Sequence, residues 1–70
     1  MKENKQEICD SLCATLQKTR DQHDLIALDF DDKLEVVTAR YEDGRKVKIG
    51  VLWDSGVAMI ADIIREIVKF

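Results

Sequence analysis

The sequence contains no proline, only three glycines and a single histidine. No apolar run approaches the ~20 residues that a membrane-spanning helix needs. The first residues, MKENKQE, have no apolar signal-peptide core. We therefore expect a chain that does not cross a membrane, has no secretion signal and resides in the cytoplasm.

The chain of 70 residues is long enough for one small domain. Hydrophobic residues make up 46% of it, which suffices for one core, and charged residues make up 36% with a net charge of -3. High apolar content with little net charge argues against intrinsic disorder. Too few residues remain to build a deep substrate pocket beside the scaffold. We expect residues 1–70 to form a single domain that is not an enzyme.

Cys9 and Cys13 are the only cysteines, and their spacing places both on one side of a predicted helix. A disulfide needs Cα atoms ~5.5–6 Å apart and converging side chains, which this spacing meets only by straining the helix. Together with His23 they supply too few ligands for a metal site. A nucleophilic Cys–His pair would need one cysteine to be exposed near His23, but both cysteines lie on the predicted buried stripe of the helix. We expect two free, buried thiols, no metal and no cofactor.

Residue spacing predicts the element order αβββα. An apolar stripe at helical spacing predicts a helix over 5–20, with Asn4 as its N-cap. Segments rich in β-branched and aromatic residues predict strands over 24–30, 34–41 and 45–53, and a second helix follows over 55–69. We expect an α+β fold, a three-stranded antiparallel meander with both helices on one face. A first helix on the opposite face, giving an αβα sandwich, is the alternative.

Turn residues predict the register of this sheet. Asp43-Gly44 is typical of a two-residue hairpin turn. A connection of three residues from Asp31 to Lys33, or of another odd number, then aligns the apolar residues of the first strand with those of the other two. A slip of one residue would reverse the faces of the first strand. Trp53 is expected to lie buried where the third strand meets the last helix. The residues predicted to face the core are Ile26, Leu28, Phe30, Leu34, Val36, Thr38, Val47, Ile49, Val51 and Trp53.

The same register leaves a second sheet face that is unusually apolar for a surface in contact with water. The last helix likewise has an apolar arc of about 200°, wider than packing on one sheet requires. Packing on the first helix could absorb the excess, but a subunit interface would also explain it. We predict a protein interface and a homodimer, formed by Leu25, Ala27, Val37, Ala39, Gly50, Leu52, Met59, Ile63 and Phe70.

Charged residues cluster around the two hairpins. Basic side chains on the second hairpin could follow a phosphate backbone, although aromatic residues for stacking bases are sparse and nucleic acid is disfavoured as a partner. These candidate nucleic-acid residues are Arg40, Arg45, Lys46 and Lys48. The acidic cluster of the first turn is read as a solvated turn, with a cation or a basic partner as alternatives, and consists of Asp29, Asp31, Asp32 and Glu35.

These features favour a small, non-catalytic protein-interaction module that self-associates through the apolar sheet face or the C-terminal helix. One alternative is a nucleic-acid-binding accessory protein that uses the basic hairpin. Another is an inhibitor or accessory protein of a phage or mobile element that binds a larger protein target. Fold and size are the only support for the last alternative.

Overall fold

The computed structural model describes residues 4–68. It confirms the αβββα order and the antiparallel meander, in which the second strand lies between the two edge strands. The elements are α1 (Lys5–Leu16), β1 (Leu25–Asp31), β2 (Val36–Tyr41), β3 (Lys46–Gly50) and α2 (Gly56–Ile67).

Both helices begin at a capping residue, which for the first helix is the predicted Asn4. The Asn4 side chain accepts a hydrogen bond from the backbone N–H of Glu7 at 3.0 Å, and Ser55 Oγ accepts one from Ala58 at 3.2 Å. These bonds satisfy N–H groups that have no partner within their own helix. Helix α1 ends at Leu16 rather than at residue 20. There Thr19 Oγ1 donates to the Leu16 carbonyl at 2.6 Å and closes a turn.

The second hairpin has a three-residue loop, so the predicted two-residue turn is wrong. Tyr41 N–H donates to the Arg45 carbonyl and Gly44 N–H donates to the Tyr41 carbonyl, both at 3.0 Å. Gly44 has a φ of 90°, which a residue without a Cβ adopts at no steric cost. The extra loop residue moves the register by one and pairs Ala39 with Val47. The faces of β2 are therefore the reverse of the prediction.

The first hairpin has a four-residue loop over 32–35, where an odd number was predicted. Asp31 pairs with Val36, and Asp31 Oδ1 accepts hydrogen bonds from the N–H groups of Lys33 and Leu34 at 2.9 and 3.2 Å. Glu35 takes the left-handed conformation with a φ of 50°. A β-bulge between Leu25 and Ala27 shifts the register of β1 once more. The bulge leaves Leu25 and Leu28 buried and Ile26 exposed.

One core lies between the sheet and both helices. Residues from α1 and α2 belong to the same buried cluster as the sheet residues, so the structure has two layers and not the αβα arrangement. Four predicted core positions of the sheet were wrong besides Ile26: Leu34 and Trp53 are 70% and 88% exposed, and Val36 and Thr38 are half-buried. The buried apolar residues are Cys9, Cys13, Leu16, Leu25, Leu28, Val37, Ala39, Tyr41, Ile49, Val51, Met59 and Ile63.

A buried hydrogen-bonded chain ties the sheet to the end of α2. Tyr41 Oη donates to Gln22 Oε1 at 2.8 Å, and Gln22 Nε2 donates to the Ile67 carbonyl at 3.0 Å. Gln22 is buried, and both ends of its amide are satisfied, as a buried polar group requires. Between residues 4 and 68, neither helix has the length and apolar character that crossing a membrane demands.

Candidate interaction surfaces

The predicted apolar second face does not exist, because its central residues belong to the core. Leu25, Val37 and Ala39 are buried under the helices, as the corrected register requires. The face that is open to solvent carries polar and charged side chains such as Asp29, Thr38 and Lys48. This polar composition is ordinary for the wet side of an antiparallel sheet.

The other predicted interface residues are dispersed. Met59 and Ile63 are completely buried in the core, so they do not form the rim of an exposed surface. Ala27 is half-buried, whereas Gly50 and Leu52 are exposed. Phe70 lies outside the described residues.

The four basic residues of the second hairpin divide into two pairs. Arg40 forms an ion pair with Asp29 at 2.6 Å. Arg45 approaches Asp24 at 3.8 Å and lies 4.2 Å from the centre of the Tyr41 ring. Lys46 and Lys48 are exposed, and no carboxylate of the described chain lies within ion-pair distance of them. The positive charge left free on the hairpin is therefore that of these two lysines.

The acidic residues of the first turn have separate local partners. Asp29 lies opposite Thr38 in the sheet, and its carboxylate is the ion-pair partner of Arg40. Glu35 is 3.5 Å from the ammonium group of Lys5 in α1. Over residues 4–68, no group of three or more His, Cys, Asp or Glu side chains is arranged to hold a metal ion.

Both thiols are free and buried, as predicted. Burial raises the pKa of Cys9 to about 11, and the neighbouring Asp10 carboxylate acts in the same direction. Burial also raises the pKa of Cys13, whose Sγ donates a weak hydrogen bond to the Ile26 carbonyl at 3.6 Å. A thiol must ionise to act as a nucleophile or metal ligand. Near neutral pH these two thiols are protonated packing groups.

Glutamine side chains close the free edge of β1, and Gln6 of α1 makes two of the hydrogen bonds. The Gln6 side chain accepts a hydrogen bond from the Phe30 N–H at 2.8 Å and donates one to the Leu28 carbonyl at 3.1 Å. One amide thus makes both of the bonds that a neighbouring strand would make. Further along the same edge, Gln17 Nε2 donates to the Leu25 carbonyl at 2.8 Å. The β1 edge is closed by side chains.

The β3 edge has no such cover among the described residues. Arg45 and Val51, immediately before and after β3, form backbone hydrogen bonds with Tyr41 and Glu35. In an antiparallel pair every second residue directs its N–H and C=O groups towards the partner strand, so Val47 and Ile49 also direct theirs towards β2. The backbone groups of Lys46, Lys48 and Gly50 therefore point away from the sheet. Beside this edge lies a groove of about 340 Å³, whose other wall is formed by Asp62, Arg65 and Glu66 of α2.

The outer surface of the helix layer combines a groove with a ridge. The groove, of about 520 Å³, lies between α1 and α2; we call it the helix groove, and it is lined by Asn4, Glu7, Ile8, Ser11, Leu12, Thr15 and Ile60. Beside it runs an exposed apolar row on α2 at helical spacing. We call this row the helix ridge; it consists of Val57, Ala61 and Ile64, of which Val57 is 77% exposed.

Trp53 is exposed, which overturns its predicted burial. The chain turns from β3 into α2 through a β-turn in which the Asp54 N–H donates to the Val51 carbonyl at 3.0 Å. Trp53 occupies the third position of this turn with a φ of 66° and is 88% exposed. A left-handed conformation is unusual for a bulky residue and costs of order 1–3 kcal/mol. The turn thus holds a large apolar side chain in water at the end of β3.

Two carboxyl groups meet just after this turn. Asp54 Oδ2 is buried and has no hydrogen-bond partner among the described side chains. The adjacent Asp62 raises the pKa of Asp54, because the two carboxyls can share a hydrogen bond only while one of them keeps its proton. Burial and the negative charge of Asp62 act in the same direction.

None of the protein-family models, curated proteins or solved structures compared with this chain matches it. The surfaces of the molecule are therefore the observations that bear on its function. Sequence patterns indicated one of them in part, since the wide apolar arc of the last helix includes the helix ridge. The role of Gln6 has no comparable sequence signal, because a glutamine on a helix is most often a solvated surface residue.

Proposed function

We propose that this chain is a non-catalytic protein-interaction module that pairs with a second copy through its helix layer. The observation that carries the proposal is the helix ridge, an apolar row left in water beside a groove with an apolar floor. Contiguous exposed apolar surface on a small domain marks an interaction site. The residues concerned are Val57, Ala61 and Ile64 on the ridge and Ile8, Leu12 and Ile60 in the groove.

A second copy is the occupant that this shape favours. A two-fold interface uses the same patch on both subunits, so the patch must be complementary to itself. Here the helix ridge and the helix groove lie side by side, and a two-fold rotation can seat each ridge in the partner groove. The single charged residue among the groove-lining positions is Glu7. Little like-charge repulsion therefore opposes this pairing.

The same proposal places the protein in the cytoplasm as a non-catalytic component. Its buried, protonated thiols fit a reducing compartment, where free cysteines persist. The thiols are unsuited to nucleophilic chemistry, and His23 is exposed with its Nδ1 2.8 Å from the Arg20 carbonyl. These placements support an interaction role rather than a chemical one.

Light scattering coupled to size exclusion tests the pairing. The wild-type chain should show twice its monomer mass of 8.0 kDa. Ile64→Lys should reduce this to the monomer mass while far-UV circular dichroism stays native, because it places a charge on the ridge. Glu66→Gln is the matched control, since it makes the same change in net charge on the opposite flank of α2, and it should keep the dimer mass. A folded Ile64→Lys variant that remains dimeric would refute this interface.

A further inference from the structure

The β3 edge offers hydrogen-bonding positions that the rest of the fold leaves unfilled. Lys46, Lys48 and Gly50 direct N–H and C=O groups away from β2. Residues 4–68 provide no side chain that bonds to these groups, in contrast to Gln6 and Gln17 on the β1 edge. An unpaired strand edge of this kind is a template for one more strand.

The charge along this edge selects what can pair with it. The side chains of Lys46 and Lys48 lie two residues apart on the open face of the sheet, exposed and without an ion pair in the described chain. An added strand repeats its side-chain direction every two residues. Carboxylates at alternate positions of that strand would therefore face both lysines.

A second copy of β3 fits this edge poorly. Pairing two β3 strands around a two-fold axis at Lys48 would set the two Lys48 ammonium groups opposite each other, and like charges in that position are destabilising. Lysines on an edge strand oppose edge-to-edge pairing of identical chains for this reason. The edge is thus less suited to pairing with its own copy around Lys48 than to pairing with an acidic strand.

We propose that the β3 edge binds an extended acidic segment of another protein, which joins the sheet as a fourth strand. Alternate residues of the segment carry carboxylates towards Lys46 and Lys48. The intervening residues enter the groove between β3 and α2, where Asp62 and Glu66 disfavour further carboxylates. The proposal does not rest on dimerisation, because the helix groove and the β3 edge are separate surfaces.

A short peptide in which glutamate alternates with threonine is the probe. Labelled with a fluorophore and titrated with the wild-type chain at low salt, it should show saturable binding by fluorescence anisotropy. The counterpart with lysine in place of glutamate should bind about tenfold more weakly or less. In amide hydrogen-exchange spectra, the glutamate peptide should slow exchange at Lys48 and Gly50.

Two kinds of variant separate the charge from the backbone. The double variant Lys46→Glu and Lys48→Glu should no longer bind the glutamate peptide and should bind the lysine peptide instead. Gly50→Pro removes one outward N–H without changing a charge, which an edge strand tolerates, and it should weaken binding about tenfold. Gly50→Ala is its control and should bind like wild type, since a Cβ there meets no atom within 4 Å.

The Ile64→Lys variant should bind the glutamate peptide as the wild type does, so failure of the dimer leaves this test intact. Equal binding of both peptides would overturn the proposal, as would unchanged affinity in the folded double variant. Binding of a single-stranded oligonucleotide in place of the peptide, lost in the double variant, would also overturn it. The lysines would then serve phosphate contacts.

Discussion

The two edges of this sheet differ in how their backbone groups are satisfied. On β1, the Gln6 amide bonds to Phe30 and Leu28 as a neighbouring strand would. On β3, the corresponding groups of Lys48 and Gly50 face solvent beside an open groove. A three-stranded sheet this small has two edges to protect, and here one helix covers one of them. The difference shows that an exposed edge is a feature of β3 and not of the sheet as a whole.

The largest expected effect comes from removing the charge that protects the β3 edge. Lys46→Val combined with Lys48→Val should produce assemblies whose mass grows with concentration, because apolar residues on an open edge favour edge-to-edge pairing. Light scattering at increasing concentration measures this. Lys33→Val, in the exposed loop between β1 and β2, is the control and should leave the mass unchanged. Concentration-independent mass in the double variant would mean that the edge is covered.

Opening the β1 edge should cost stability. Gln6→Ala leaves the Phe30 N–H and the Leu28 carbonyl without their side-chain partner, and should lower the free energy of unfolding by about 2 kcal/mol. Urea unfolding followed by circular dichroism measures the change. Glu7→Ala, one position along α1, should lower the free energy of unfolding by at most about 1 kcal/mol, because it removes a favourable negative charge near the helix N-terminus. Equal losses in both variants would argue against a special role for Gln6.

The turn that ends β3 stores backbone strain, and relieving it should stabilise the chain. Trp53→Gly accommodates the φ of 66° and should raise the free energy of unfolding by about 1 kcal/mol, the strain relieved less the entropy that glycine loses on folding. Trp53→Ala should change it little, because the side chain is 88% exposed. Urea unfolding followed by circular dichroism compares the two. A large loss of stability in Trp53→Ala would show that the indole packs in the core.

The smallest expected effect is a pH dependence beside the β3 groove. The native pKa of Asp54 is raised above its usual value of 3.8. The protonated Asp54 carboxyl therefore contributes fully to stability below pH 3.8, and this contribution is lost as pH rises through the native pKa. Asp54→Asn removes this loss and can donate a hydrogen bond to Asp62. The variant should therefore gain stability relative to wild type between about pH 4 and about pH 7. Urea midpoints across this range measure the difference, and a relative loss would contradict the assignment.

Sequence patterns predicted the elements well and the faces of the sheet poorly. In β3, the apolar residues Val47 and Ile49 alternate with lysines, so the sequence identifies which face of this strand is buried. In β2, Val36 and Val37 offer apolar side chains to both faces, so turn length alone decides which is buried. A loop of three residues rather than two reversed the outcome.

The candidate surfaces also differ in how far the sequence predicts them. The helix ridge was partly visible as excess apolar residues on a helical wheel. The closure of the β1 edge was not, because it depends on where α1 lies across the sheet rather than on any local pattern. Trp53 misled the prediction, since aromatic residues are usually buried and its exposure follows from the conformation of one turn. Surfaces that depend on tertiary placement therefore need the structure.

Amide hydrogen exchange of the free wild-type chain, followed residue by residue by NMR, tests the difference between the edges most directly. Phe30 should exchange slowly although it lies on an edge strand, and Gln6→Ala should accelerate it. Lys48 and Gly50 should exchange quickly, while Val47 and Ile49 between them are protected by bonds to β2. Protection of Lys48 and Gly50 equal to that of Val47 and Ile49 would contradict the account, because the β3 edge would then be closed.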